Sequence, residues 1–269
     1  MTEDARSRLG RSLFAAYEYL AMVAGLGCLA VICALWLPFA TLLQPLLPER
    51  WGRPIGRLAI CLGFRAYLGF LSTFCACRFD LSALDRLRDE GPLVLVANHP
   101  SLLDAVMIVS RLPNAVCIMK AALMNNVLLG AGARLARYIR NDAPLKMIRH
   151  ASEALGQGAQ LVIFPEGTRT AAFPVTTFGS AACMIARRGG APLQTVFIEF
   201  NSPYLGKAWP LFRKPQLPLH FRIRLGERFV PPKDIAGFTR QLEQYFRDGL
   251  DIAGPRPQGS PGPMREALS

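Results

Sequence analysis

The chain has little acid, only three histidines, and no charge at all from Tyr19 to Pro48. The shortage of acid leaves 31 Lys and Arg against 19 Asp and Glu, a formal charge of +12. A basic chain favours nucleic acid, an acidic substrate or an anionic membrane surface. Here the basic residues form no long run, and no zinc-finger or RNA-binding signature occurs, so nucleic acid is set aside as a partner. There is no CxxC motif; the one close cysteine pair outside the apolar segment, Cys75 and Cys77, has neither redox nor usual zinc spacing. The seven cysteines therefore read as reduced thiols, and no metal site is expected. A Gly-x-Ser-x-Gly elbow is missing, which removes the commonest serine-hydrolase signature. No internal repeat is present.

The charge-free stretch YLAMVAGLGCLAVICALWLPFATLLQPLLP exceeds the roughly 20 apolar residues that cross a bilayer as a helix. A secretory signal would be shorter and end in a small-residue cleavage site. Arg6, Arg8 and Arg11 precede it and Arg50, Arg53 and Arg57 follow it, so charge asymmetry does not orient it. Pro38, Pro45 and Pro48 are expected to interrupt the helix near its end. A single span and a re-entrant hairpin with both ends on the cytoplasmic side both stay open. Residues 55–77 are apolar but for Arg57 and Arg65. They fit an interfacial helix whose arginines snorkel to the headgroups, or a buried helix of the globular part. Of the three tryptophans, Trp51, beside the basic cluster, is the one placed to anchor at an interface.

From residue 92 the pattern becomes short β-rich runs alternating with helical stretches. PLVLVAN, NAVCIMK, YIRN, QLVIF, LQTVFIEF and HFRIRLGERF read as strands. ALMNNVLLGAGARLAR, residues 145–155, GSAACMIARR and FTRQLEQYFRDGLDIA read as helices. Continuous apolar strands between helices predict an α/β domain with a sheet buried on both faces. The expected division is a membrane-embedded segment 1–78, an α/β domain 79–252 and a Pro/Gly-rich disordered tail 253–269.

Two stretches carry chemistry. In NHPSLLD, residues 98–104, Ser101 and Asp104 form a Ser-x-x-Asp capping pattern before the apolar run AVMIV. His99 and Asp104 lie five apart and would point about 140° from each other on one helix. Pro100 disfavours helix at His99, which places the histidine at a strand end and Asp104 in the next helix's first turn. A chain folded between them could bring carboxylate to ring, fixing the tautomer and leaving the second nitrogen as a general base. Cap and dyad each explain Asp104.

In FPEGTRT, residues 164–170, Pro165 and Gly167 are turn formers and backbone N–H groups there could cradle an anion. Arg169 offers a donor fork for phosphate, and Glu166 is expected to orient Arg169 or bind an acceptor hydroxyl. An ordinary strand-ending loop with a surface salt bridge explains the stretch as well. His150 and His220 read as structural.

Together, NHPSLLD and FPEGTRT in this order and spacing resemble the glycerolipid acyltransferase family, which includes 1-acylglycerol-3-phosphate acyltransferases. The resemblance covers about residues 90–200. It implies an α/β acyltransferase domain on a membrane-embedded helical segment, with His99 and Asp104 as catalytic dyad. It further implies acceptor binding by Asn98, Glu166, Gly167, Thr168 and Arg169. The family's Asp-Arg strand end is matched only at Asp142, with Ala143 where the arginine would stand; Lys120 and Arg140 are the nearby cations that could replace it. APLQTVFI keeps Pro192 and has Thr195 for the family's second proline. NSPYLGKAWPLFRKP resembles a bacterial branch associated with aryl polyene and fatty-acid-like pathways, which implies an acyl carrier protein as donor in place of coenzyme A. The implied partners are membrane lipids, acyl-CoA or acyl carrier protein, and a lysolipid acceptor, with no cofactor. The implied location is the cytoplasmic (inner) membrane, active site facing the cytoplasm. Two rivals stand beside this: an esterase in which a serine acts with His99 and Asp104, Ser101 sitting too close to His99 in sequence for a comfortable nucleophile, and a silent lipid-binding module.

Overall fold

A computed structural model describes residues 3–251; the tail expected at 253–269 lies outside them. The chain opens with two long helices, α1 (Glu3–Leu46) and α2 (Glu49–Phe74). Then follow β1 (Cys77–Asp80), a 3₁₀ turn (Ser82–Leu87), β2 (Leu93–Ala97), α3 (Asp104–Val109), β3 (Ala115–Met119), α4 (Ala121–Met124) and α5 (Val127–Leu135). The rest is β4 (Ile139–Arg140), α6 (Pro144–Gly156), β5 (Gln160–Ile163), α7 (Ala181–Gly189), β6 (Leu193–Phe200), β7 (Leu219–Phe229) and α8 (Ile235–Asp251). The seven strands form one sheet in the order β1-β7-β6-β2-β5-β3-β4, parallel throughout except for the antiparallel β6–β7 pair. This is a mixed sheet flanked by helices.

The central strand shows why. Every residue of β2 is buried. Leu93, Leu95 and Ala97 join the core formed with α2 and α3, while Val94 and Val96 join the core formed with α6, α7 and α8. Side chains alternate faces along a strand, so a run apolar on both parities needs a helical layer on each side. The same alternation carries residue 99, beyond the strand, to the α2–α3 side.

The first two helices depart from expectation at Pro38, while Arg57 follows the buried-helix alternative. Helix α1 runs through Pro38 without ending; Pro45 sits in its last turn and Pro48 lies between α1 and α2. Pro38 removes one backbone donor, and the helix around it is held by packing, since Ala40 is fully buried against Ala131 and Leu135 of α5. Arg57 does not snorkel. It is buried, donating through Nη1 to Asn114 Oδ1 at 2.7 Å and through Nε to the Ala136 carbonyl at 3.3 Å. Helix α2 packs one face (Cys61, Tyr67, Leu68, Leu71) on the domain and exposes Ile55, Leu58 and Leu62 on the other. The boundary expected at 78 falls inside β1, and one core includes Ala21, Tyr67 and Leu71 together with β2 and α3.

The helix read across ALMNNVLLGAGARLAR divides into α4 and α5. Asn126 breaks it, capping α5 by accepting the Leu128 and Leu129 N–H groups. Close approach of α2 to the end of α5 depends on Gly56, where an added Cβ would lie 2.7 Å from Ala136 N and 2.9 Å from its Cα. Both are backbone atoms and cannot rotate away. Gly56→Ala is therefore expected to lower stability by about 1–3 kcal/mol through overpacking, read as a lower melting temperature in detergent.

Candidate active site

The two motif turns meet at the carboxyl end of β2. Strand β2 pairs with β5, Val96 facing Ile163, so the turns that leave these strands are neighbours. At the end of β2, Pro100 redirects the chain into a turn that leads into α3. That fold brings His99 Nδ1 to 2.8 Å from Asp104 Oδ2. The same oxygen accepts the Ser101 N–H at 2.8 Å. Asp104, the first residue of α3, is thus a partner of both the ring and the backbone of the turn before the helix. The helix's cap residue is Leu103, with no side-chain cap, so the capping box expected from Ser101 is not formed; the Ser101 hydroxyl donates to the Tyr204 carbonyl at 3.0 Å and accepts the Leu103 N–H at 3.3 Å.

The histidine is held on three sides. Its ring stacks on Phe164, centroids 4.0 Å apart and planes 17° from parallel. Its backbone N–H donates to Glu166 Oε1 at 3.0 Å, and its carbonyl accepts the Thr170 N–H at 2.7 Å. Asp104 is 0 % exposed while the His99 side chain keeps 19 % exposure. Burial pushes the Asp104 carboxyl up to about 6, against the lowering effect of His99 and the Ser101 N–H. Its Oδ1 is buried with no hydrogen-bond partner among the described residues, which accounts for the strength of the desolvation. With Nδ1 donating to the carboxylate, Nε2 of the neutral ring carries the lone pair that can accept a proton.

The other expected site residues take different parts. Glu166, nearly buried, does not touch Arg169. Its Oε1 accepts from His99 N and the Thr170 hydroxyl (2.7 Å), and its Oε2 accepts from the Thr176 N–H (2.9 Å) and hydroxyl (2.6 Å). All four are donors, so the carboxylate clamps the FPEGTRT turn to the histidine's backbone. Arg169 Nη1 donates to the carbonyls of Leu205 and Gly206 at 2.9 and 2.6 Å. Gly167 has φ +66°, the conformation that favours glycine, and donates its N–H to Phe164 O at 3.0 Å. Thr168, beside it, is half-buried.

Asn98 is buried and its amide bridges both backbone groups of Ile198, donating to the carbonyl at 2.9 Å and accepting the N–H at 2.8 Å. It extends the β2–β6 ladder by one side chain. Asn98→Ala should destabilise by about 1–3 kcal/mol, with KM for any acceptor unchanged; thermal melts and steady-state kinetics check it.

Lys120 and Arg140 lie at the carboxyl ends of β3 and β4, two and three strands from β2. At strand spacing these are lateral offsets of about 10 and 14 Å. Arg140 is engaged with Asp142 (2.7 Å) and Asn125 (3.1 Å). Ala143 precedes α6 as its cap residue.

Sequence reading gave no site role to Thr170, Thr176 or the Tyr204–Gly206 loop. Thr170 and the loop stand in quoted stretches, whereas Thr176 carries no local signal. The loop joins both turns, since its carbonyls receive Ser101, Leu102 and Arg169. A cavity of about 1010 Å³ opens on the β6–β7–β1 side. Asn98, Pro100, Thr170, Lys207, Trp209 and Arg213 are among its walls. The His99 ring does not line it, so cavity size alone does not mark the chemistry.

The acyltransferase family model matches residues 78–199, the span that holds both turns. A putative 1-acyl-sn-glycerol-3-phosphate acyltransferase acl-2 of Caenorhabditis elegans is 32% identical over 128 residues, 45% of this chain and 45% of the relative. A 1-acyl-sn-glycerol-3-phosphate acyltransferase of Helicobacter pylori is 31% identical over 105 residues, 35% of this chain and 44% of the relative. The chain thus spans less than half the length of the curated relatives it matches. Among solved structures, the 1-acyl-sn-glycerophosphate acyltransferase PlsC of Thermotoga maritima superposes with a TM-score of 0.65. The match covers 89% of this chain and 98% of that one, at 19% identity, and shows a common fold.

Proposed function

We propose that the chain is a membrane-bound O-acyltransferase that moves a fatty acyl group from a thioester to the hydroxyl of a lysophospholipid-like acceptor. The observation that carries this is the His99–Asp104 contact at the end of β2, with Nε2 left to take a proton. In the proposed step His99 Nε2 removes the acceptor's hydroxyl proton as its oxygen attacks the thioester carbonyl. The tetrahedral intermediate collapses to an ester and a thiolate, and the imidazolium returns the proton to the thiolate. Asp104 holds the tautomer and stabilises the imidazolium. No prosthetic group is needed in this scheme, because the thiol carrier belongs to the substrate.

The donor is proposed as acyl-CoA or acyl carrier protein. A second acceptor class is favoured by a specific observation: Arg169 is bound to backbone carbonyls and Arg140 to Asp142. With both engaged, a lipid acceptor lacking phosphate, as in the aryl-polyene-type resemblance, fits as well as a lysophosphatidate. An esterase using Ser101 is disfavoured, since that hydroxyl is buried and donates to Tyr204 O. Incubating the purified chain with coenzyme A and carrier-protein thioesters and a panel of phosphate and non-phosphate lysolipids separates the choices.

Two helices are long and apolar enough to cross a membrane by length and composition. Their packing supports the re-entrant arrangement. Tyr17 donates to the Phe74 carbonyl at 3.0 Å and Glu18 pairs with Lys214, while Ala40 is buried against α5. From residue 18 to 40 a helix advances about 33 Å, more than a hydrocarbon core, so α1 lies along the domain instead of leaving it. We place both helix ends on the side of the α/β domain, proposed to be the cytoplasmic side of the inner membrane.

Proton transfer to His99 requires an ionised Asp104. The acyl-transfer rate is expected to fall about tenfold per unit below pH 6 and to level off above it, measured as initial rate against pH. Stability moves the opposite way. Between about pH 4 and 6 the folded chain holds a proton on Asp104 that the unfolded chain has released, so its contribution weakens as pH rises through that window.

A further inference from the structure

The segment between β6 and β7 has an aromatic and basic tip, AWPLFRKP, that the candidate active site does not use. Leu211 is 47 % and Phe212 75 % exposed. The turn is nonetheless organised. The Arg213 guanidinium lies 4.7 Å from the Trp209 ring centroid, and the indole N–H donates to Arg213 O at 3.0 Å. A leucine and a phenylalanine held in water by an ordered turn leave apolar surface that burial would remove.

Its position gives it an occupant. Lys214 pairs with the buried Glu18 of α1, which also accepts the Leu217 N–H at 3.1 Å, and the Lys214 ammonium sits 5.7 Å from the Tyr19 ring centroid. This fixes the turn where α1 loses its charges. From there α1 presents an outward row of Leu20, Val23, Val31, Leu35, Phe39, Leu42 and Leu46, all exposed. The turn is held beside Tyr19, one residue before that row begins. Arg78, Lys207 and Arg213 line the cavity that Tyr19 also lines, and none has an acidic partner within ion-pair distance among the described residues.

The geometry points to a membrane contact beyond the helical hairpin: the Trp209–Lys214 turn seats Leu211 and Phe212 in the headgroup–acyl boundary of an anionic bilayer, with Lys207 and Arg213 at phosphate level. Apolar side chains beside lysine and arginine match that boundary, and each cation near an anionic surface adds to the attraction. The inference rests on the lipid contact of α1 proposed above. It reaches the chemistry through Gly206, adjacent to Lys207, whose carbonyl receives Arg169.

The test uses the full chain with Trp36, Trp51 and Trp209 all changed to Phe and one tryptophan restored as Phe212→Trp, Leu35→Trp or Arg240→Trp. Each is reconstituted in phosphatidylcholine–phosphatidylglycerol vesicles with brominated acyl chains, which quench nearby indoles. Quenching is expected at 212 and at 35 on the α1 row, and none at the exposed α8 position 240. Quenching at 35 without quenching at 212 overturns the turn's insertion and leaves the α1 contact standing; none at either position overturns both. Quenching at 212 should weaken in pure phosphatidylcholine and in high salt. Equal quenching in both lipids contradicts the anionic preference.

Discussion

His99→Asn is expected to lower kcat for acyl transfer by about 10²–10⁴-fold with little change in melting temperature. The asparagine amide can occupy the place of Nδ1 and keep a donor on Asp104, but it brings no base to the position of Nε2. His99→Ala is expected to lose as much activity and also some stability, because Asp104 then retains only the Ser101 N–H among its hydrogen bonds. The pair of variants separates proton transfer from scaffolding. Equal activity loss with unequal melting marks His99 as the base; activity that follows melting marks it as a structural post. Circular dichroism melts and initial rates on the same preparations decide between them.

The second large effect belongs to Glu166→Gln. A carboxylate accepts at both oxygens, and all four groups around it are donors: His99 N, the Thr170 hydroxyl, Thr176 N and the Thr176 hydroxyl. An amide can serve only one side, leaving its NH₂ against an N–H. If the oxygen stays with His99, the Thr176 N–H is orphaned, at a cost on the order of 2–3 kcal/mol. A chain of this size then melts about 5–10 °C lower. The FPEGTRT turn loosens from the histidine's backbone, and kcat falls with it. Had Glu166 bound the acceptor hydroxyl, the same change would raise KM and leave melting alone. Differential scanning fluorimetry beside a KM–kcat determination distinguishes the two roles.

The parts of the fold legible in the sequence were those governed by local chemistry. LVLVA announced a strand buried on both faces, and Pro100 announced the break that lets His99 and Asp104 meet. Strand β1 was not legible, because CRFD alternates polar residues at a sheet edge and pairs only with β7, more than a hundred residues later. Pro38 misled because its effect on α1 is offset by packing against α5, a contact with no trace near the proline. The site divided in the same way. The dyad spans five residues, so backbone geometry could be argued from them. The clamp on Glu166 joins His99, 67 residues earlier, and Thr176, ten later. The ties from Arg169 to Leu205 and Gly206 cross 36 and 37 residues. An arginine in such a turn reads as an anion ligand, and nothing near it announces the distant carbonyls beside its Nη1. Asn98 reads as part of a catalytic motif, and its pairing with Ile198 lies 100 residues away.

The most direct test of the proposed activity is the acceptor dependence of thioester consumption by the wild-type chain in vesicles, with products identified by mass spectrometry. Proton abstraction from a bound hydroxyl predicts that consumption rises with added lysolipid and yields the acylated lipid and free thiol in equal amounts. Consumption that proceeds equally without lysolipid and yields free fatty acid contradicts it, as does the absence of turnover with every thioester and acceptor.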